Sequence, residues 1–386
     1  MEQNIINRIH ELYENFHRRP ELSGHEKQTT AAIVRELESL GAQVTTFEDF
    51  TGCTAYFAGR EEGRVLAFRA DIDALPLEEF APVEYRSLNS GVMHACGHDA
   101  NTAIALGLAR RVVESGLLDD MAGGIKFIFQ PCEERLGGAK AMIERGVLEN
   151  PRVDRLLAGH MDPNFEAGEV GVFTRVGHAA SDPFELKITG KGSHGARPHM
   201  GINPITVGAA FVGQVDGIIP RHVPPVHSAV ISVGRFHAGD AGNVIPETAV
   251  IQGSIRTHDE GVRETIFREM HRLAEGLGVQ FDVKAELSIR SGAPMGINDE
   301  AACAGLKRSA EKVLGRDKVH VLPFIMGSDD FYFYAQKCPA AMMRMGCARA
   351  SEGITHPLHS PYFAVHPQAL ETGVAVLFQA ITDFYA

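Results

Sequence analysis

The chain has 386 residues, with 37 Lys and Arg against 49 Asp and Glu, a formal charge of −12. Apolar residues at 44% and charged residues at 22% suit a packed protein and exclude a disordered one, and at about 150 residues per domain the length suits two to three domains. An acidic balance without a long basic run argues against nucleic acid or a membrane surface as partner, and no apolar run reaches the roughly 18 residues of a spanning helix.

The first residues read as an amphipathic helix, because Ile5, Ile9, Leu12, Tyr13 and Phe16 recur at helical spacing among charged side chains. A signal peptide would show an unbroken apolar stretch there instead. Three continuous apolar runs follow, at 65–68, 125–129 and 153–158, and continuous runs are the pattern of buried parallel strands. Helical patterns at 102–114 and 139–146 lie between them, so the expected frame is α/β, a doubly wound, mostly parallel sheet. From about residue 182 the order changes to strand (184–189), helix (204–215), two strands (228–233 and 248–255), helix (260–277) and strand (279–287). That is the ferredoxin-like β-α-β-β-α-β order. It predicts an inserted α+β domain over 182–292, inside a discontinuous domain made of 1–181 and 293–386. The α/β pattern resumes with a helix at 301–313 and a strand at 319–324.

Residues just past the three parallel runs carry the chemistry. Asp71 and Asp73 follow the first, Cys132, Glu133 and Glu134 the second, and His160 the third. Ligands bind at the carboxyl ends of strands in open parallel sheets, so three strands deliver carboxylates and imidazole to one rim. Cys96 and His98 lie two apart on a loop that Gly97 allows to bend, a spacing that turns both toward one ion. Taken with Glu134, His160 and His359, they form a mixed thiolate, imidazole and carboxylate set that suits Zn, Mn, Co or Ni and suits Ca or Mg poorly. Five ligands exceed one tetrahedral site, and a pair of divalent transition ions sharing a water accounts for them. Glu133, adjacent to Glu134, is then free to move a proton. Eighteen His against seven Tyr and no Trp is the composition's one departure in the same direction.

The remaining residues read as structural. Six cysteines without a C-x-x-C pair suit free thiols in a reducing cytoplasm. Cys53, Cys132, Cys303, Cys338 and Cys347 read as core or loop thiols, Met342, Met343 and Met345 as core filling, and His199 and the other scattered histidines as hydrogen-bonded or surface groups.

Ten segments, in order from end to end, resemble the metal-dependent aminoacylase/carboxypeptidase family, in the branch of hippurate hydrolases, N-acyl-amino-acid amidohydrolases and plant auxin-conjugate hydrolases. They are HRRPELS (17–23), RADIDALP (69–76), MHACGHD (93–99), FQPCEE (129–134), GHMDP (159–163), KGSHGARPH (191–199), GDAGNVIPETA (239–249), GSIRT (253–257), MGSDDF (326–331) and LHSPYF (358–363). The resemblance implies a two-metal site of Cys96, His98, Glu134, His160 and His359, with Glu133 as general base and Asp73 orienting a ligand from behind. It also implies that the insertion is a lid and dimerisation domain whose His194 and Asn243 reach the scissile carbonyl, from their own or the neighbouring subunit. Arg256 would take the substrate carboxylate and Ser328 would line the pocket. The sequence departs from the branch at Asn101, where His is usual, at Asp329 for Glu and at Ser193 for Gly; none of these is a proposed ligand.

The expected activity is therefore amide hydrolysis of N-acyl amino acids or related conjugates by a homodimer or higher homo-oligomer. A dipeptidase or carboxypeptidase of the same family is the nearest alternative. Two others differ in class: thiol catalysis by Cys96 with His98 as base, and a metal-binding protein without catalysis. Chelation separates the first from a metalloenzyme, and the spare Glu133 speaks against the second.

Overall fold

The computed structural model describes all of residues 1–386, which divide into two compact units. One comprises Met1–Gly177, Ile297–Pro323 and Asp329–Ala386, and the other comprises His178–Gly296 with Phe324–Ser328.

The first unit is built on an eight-stranded sheet. Its centre is parallel: Glu61–Asp71 lies between Ala122–Gln130 and Arg155–Glu166, and Ala340–Ala348 pairs parallel on the far side of Arg155–Glu166. Cys53–Ala58 and Gln43–Thr46 add an antiparallel pair at one edge, and Val170–Phe173 runs antiparallel to Ala340–Ala348. The sheet is thus mixed α/β with a parallel centre; the apolar runs at 65–68 and 125–129 lie in that centre, and the run at 153–158 enters it only at Arg155. The helix Gln3–Arg18 buries Ile5, Ile9, Leu12, Tyr13 and Phe16 along one stripe. It packs against His98–Glu114, a helix buried over most of its circumference, and Gly107 makes that approach possible because a Cβ there would lie 2.4 Å from Ile9 Cγ1.

The third parallel strand continues well past the apolar run that marks it. It extends from Arg155 to Glu166, so His160 lies inside it, not beyond its end. Two partners explain this. The Glu61–Asp71 strand pairs with it only as far as Ala158, whereas Ala340–Ala348 pairs with it through Asp162 and beyond. His160 is therefore held in the ladder on one side and released from it on the other.

In the second unit the strands Ala180–Thr189, Ala229–Ala238, Thr248–Thr257 and Lys284–Ile289 form an antiparallel sheet, with Ala180–Thr189 and Thr248–Thr257 central. The order is that of a ferredoxin-like unit. Asn203 and Asp259 cap the helices Pro204–Val215 and Glu260–Phe281 with side-chain oxygens, and these helices cover Phe184, Leu186, Ile188, Ile251 and Ile255. The second helix runs four residues beyond the end its sequence suggests, taking in Val279, where a strand was expected. It stops at Asp282, whose left-handed φ of 51° ends the turn, and the last strand begins only at Lys284.

Candidate metal and catalytic site

Each proposed donor is presented by a different device. Gly97, at φ +82°, breaks the chain before the His98–Glu114 helix and sends Cys96 and His98 to the same side. His98 Nδ1 lies 2.9 Å from the Asp73 carbonyl oxygen and 3.3 Å from Asp73 Oδ1, so Nδ1 donates and, in the neutral ring, Nε2 keeps its lone pair. His160 is anchored in the same way, Nδ1 donating to the Met161 carbonyl at 2.9 Å, with Nε2 3.6 Å from Cys96 Sγ. His359 sits on a loop with a left-handed φ of 64°, its amide bonded to the Ala95 carbonyl at 2.8 Å and its side chain 55% exposed.

These groups converge. Donor atoms of Cys96, His98 and His160 lie within 4.8 Å of one another, as do those of Cys96, Glu134 and His359, and those of His98, Glu133 and Glu134. His98 Nε2 and Glu134 Oε1 are buried and accept no hydrogen bond, although His359 Nε2 comes to 3.4 Å from that oxygen. Buried polar atoms without partners need an explanation, and unpartnered lone pairs on imidazole and carboxylate beside a thiol fit divalent transition ions. Burial pushes the Cys96 thiol well up despite the charge of His98, so the thiolate form belongs to a cation-bound state.

Glu133 and Glu134 differ as the chemistry requires. The strand ends at Gln130, and Cys132 then adopts a left-handed φ of 58°. The Glu134 amide donates to Asp73 Oδ2 at 3.0 Å, and Ser23 Oγ donates to the same oxygen at 2.6 Å. Burial raises the Glu134 carboxyl, but the close approach of the His359 imidazole and the charge of His98 lower it further. Glu133 is only 6% exposed, and burial, then the charges of Asp329, Asp330 and Glu134, hold its carboxyl well above the usual range. Its Oε2 lies 3.9 Å from His98 Nε2. A carboxylate of raised proton affinity, pressed against the donor set, can take a proton.

Behind the donors lies a charged layer whose centre, Arg69, the sequence did not single out. Buried Arg69 bonds Asp71, Asp330 at 3.0 Å and Asp329 at 3.3 Å, and takes the Gln130 side-chain oxygen at 2.9 Å. Asn101 donates to Asp71 Oδ1 at 2.7 Å and so holds a carboxylate 3.8 Å from His98 Nε2. Burial works to raise the Asp71 carboxyl, and the charges of His98 and Arg69 more than offset it. The available signal was the spacing of Arg69 and Asp71, two apart on one face of a strand. Further back, His17 joins Asp99 (2.6 Å) to Glu79 (3.0 Å). Burial lowers its pKa, but the two carboxylates prevail and raise it to about 9.

The other expected site residues all lie in the second unit. His194 pairs with Val244 in a short two-stranded ladder, and the Gly195 amide bonds the Asn243 carbonyl at 2.8 Å, which makes His194 and Asn243 neighbours. His194 Nδ1 accepts the Ala196 amide at 3.0 Å, so the neutral ring carries its proton on Nε2, an available donor on an exposed side chain. Arg256, on the strand Thr248–Thr257, donates to Ser328 Oγ at 2.7 Å, bringing two of the proposed substrate contacts together.

The sequence matches peptidase family M20/M25/M40 over residues 67–383. The chain belongs to that family. It is 37% identical over 366 residues to N-acetyl-L-cysteine deacetylase of Bacillus subtilis, covering 95% of this chain and 85% of that one. To N-acyl-L-amino acid amidohydrolase of Geobacillus stearothermophilus it is 41% identical over 264 residues, covering 68% and 70%. A solved structure of a dinuclear metal-binding peptidase of the M20 family from Bacillus subtilis matches it with a TM-score of 0.82 and 31% identity over the whole of both chains. The motif resemblance to aminoacylases and carboxypeptidases thus stands, and this M20 chain is a metal-dependent hydrolase of amide bonds. The deacetylase, amidohydrolase and peptidase names of these relatives speak for a metal-dependent hydrolase over thiol catalysis or metal binding without catalysis.

Proposed function

We propose that this M20 enzyme hydrolyses the amide bond of N-acyl amino acids, releasing a carboxylic acid and a free amino acid. The observation that carries the reading is Glu133, a buried carboxylate beside a convergent set of five donors to which it is not needed as a ligand. Cys96, His98, Glu134, His160 and His359 would hold two divalent transition ions, Zn, Mn, Co or Ni, with Asp73 fixing the tautomer of His98. Bound there, the ions lower the pKa of a water and polarise the scissile carbonyl.

Glu133 takes the proton of the attacking water and returns it to the leaving nitrogen. His194, through Nε2–H, and Asn243 donate to the developing oxyanion, and Arg256, with Ser328 at its side, receives the substrate carboxylate. The working form is a homodimer or a higher homo-oligomer. The outer strand Ala229–Ala238, with Phe236 and Val230 exposed, supports pairing with a second copy. Six free cysteines support a cytoplasmic location, and no helix is long and apolar enough to cross a membrane.

A peptidase reading draws support from the dinuclear M20 peptidase it matches. One experiment separates the two. Metal-reconstituted protein is incubated with N-acetyl, N-benzoyl and N-long-chain acyl amino acids and with dipeptides, and products are followed by mass spectrometry. Turnover of N-acyl amino acids at a kcat/KM at least about tenfold above any dipeptide is the expected result; the reverse order would make the enzyme a dipeptidase.

A further inference from the structure

The segment after the first helix supplies no donor to the candidate metal site, yet it ends in Glu26, a fully buried acid, 0% exposed. Its Oε1 accepts the Gly24 amide at 2.8 Å and the Cys132 amide at 2.9 Å, and its Oε2 accepts Thr51 Oγ at 2.6 Å. No Lys, Arg or His lies within ion-pairing distance. A buried carboxylate without a counter-cation is costly, and an apolar side chain of similar volume would serve packing better.

What Glu26 reaches explains its presence. Cys132 immediately precedes Glu133 and holds a left-handed φ of 58°, unusual for a side chain with a Cβ. Such a conformation persists only when its surroundings hold it. The Cys132 carbonyl accepts the amides of Gly137 and Gly138 at 3.3 and 3.2 Å, closing the loop from within. From outside the loop, Glu26 grips the amide at 132, and Asp73, itself bonded by Ser23, grips the amide at 134. Glu133 is thus flanked by two amides, both tied to the segment 23–26 directly or through one carboxylate.

We propose that Glu26 is a positioning residue for the reaction: its hydrogen bond to the Cys132 amide sets the directions in which Glu133 and Glu134 leave the strand. The proposal rests on the reading that Glu133 is the base and Glu134 a ligand. It predicts that Glu26→Ala lowers kcat by about 10- to 100-fold with KM changed by less than about threefold, and weakens zinc binding by about 10- to 100-fold, the usual cost of losing an orienting partner. Glu26→Gln keeps an oxygen for the Cys132 amide and restores both to within about threefold of the parent, a rescue that a simple requirement for buried charge would not give.

The test measures kcat, KM and zinc affinity (by titrating metal-free protein) for the parent and both variants. Should Glu26→Ala fail to fold, Glu26→Asp, too short to reach the Cys132 amide, replaces it with the same expectation. A folded Ala or Asp variant with parental kcat and zinc affinity overturns the proposal, and so does a Gln variant as impaired as the Ala variant. If the parent hydrolyses no N-acyl amino acid, the functional reading fails on its own, and the zinc affinities still decide whether Glu26 positions the loop.

Discussion

Glu133→Gln is expected to lower kcat by about 10²–10⁴-fold, the usual contribution of a general acid–base group, while metal content stays at the parental level. The amide is close to isosteric, so packing and the hydrogen bonds around Cys132 survive, but it cannot take a proton from water. None of the proposed ligands changes. Glu134→Gln should behave differently: it removes a charged donor whose Oε1 is buried and otherwise unpartnered, so bound metal is lost together with activity. The contrast between two adjacent carboxylates is the informative feature. Steady-state kinetics with metal analysis on both variants checks it, and a Glu133→Gln enzyme with parental kcat would remove Glu133 from the mechanism.

Stripping divalent ions with a chelator is expected to reduce hydrolysis to background and to lower the thermal midpoint by several degrees. Re-addition of Zn, Mn, Co or Ni should restore both to extents that rank the metals. The loss of stability is the linkage free energy of the bound ions, to which the otherwise unpartnered ligand atoms already contribute. A ligand at about a hundredfold excess over its Kd contributes about 2.7 kcal/mol to the folded state, and without it His98 Nε2 and Glu134 Oε1 stand buried without partners. Activity that persists after chelation would contradict the metal-dependent mechanism and favour the thiol alternative, Cys96 with His98 as base.

Much of this site was legible because its donors lie where local patterns are strong. Continuous apolar runs marked the parallel strands, and acids and histidines just beyond them marked the rim. Periodicity likewise gave the helices Gln3–Arg18 and Pro204–Val215 nearly to their ends. What the sequence hid depends on partners distant along the chain. The strand carrying His160 continues because Ala340–Ala348 pairs beside it, and nothing near residue 160 announces that. The left-handed turn at Cys132 depends on an acid 106 residues earlier. Arg69 reads locally as one charge at the end of an apolar run; its function emerges only when Asp329 and Asp330, from near the other end of the chain, are laid against it. The helix ending at Phe281 passed through Gly276 and Gly278, residues that weaken a helix without stopping it.

The most direct test of the central claim is a crystal structure of the metal-loaded enzyme with the cations located by anomalous scattering. The account predicts two peaks per chain, at coordination distances of about 2.0–2.3 Å from Cys96, His98, Glu134, His160 and His359 between them, with Glu133 bonded to neither ion. A single peak, peaks away from these five side chains, or Glu133 coordinated to metal would contradict it.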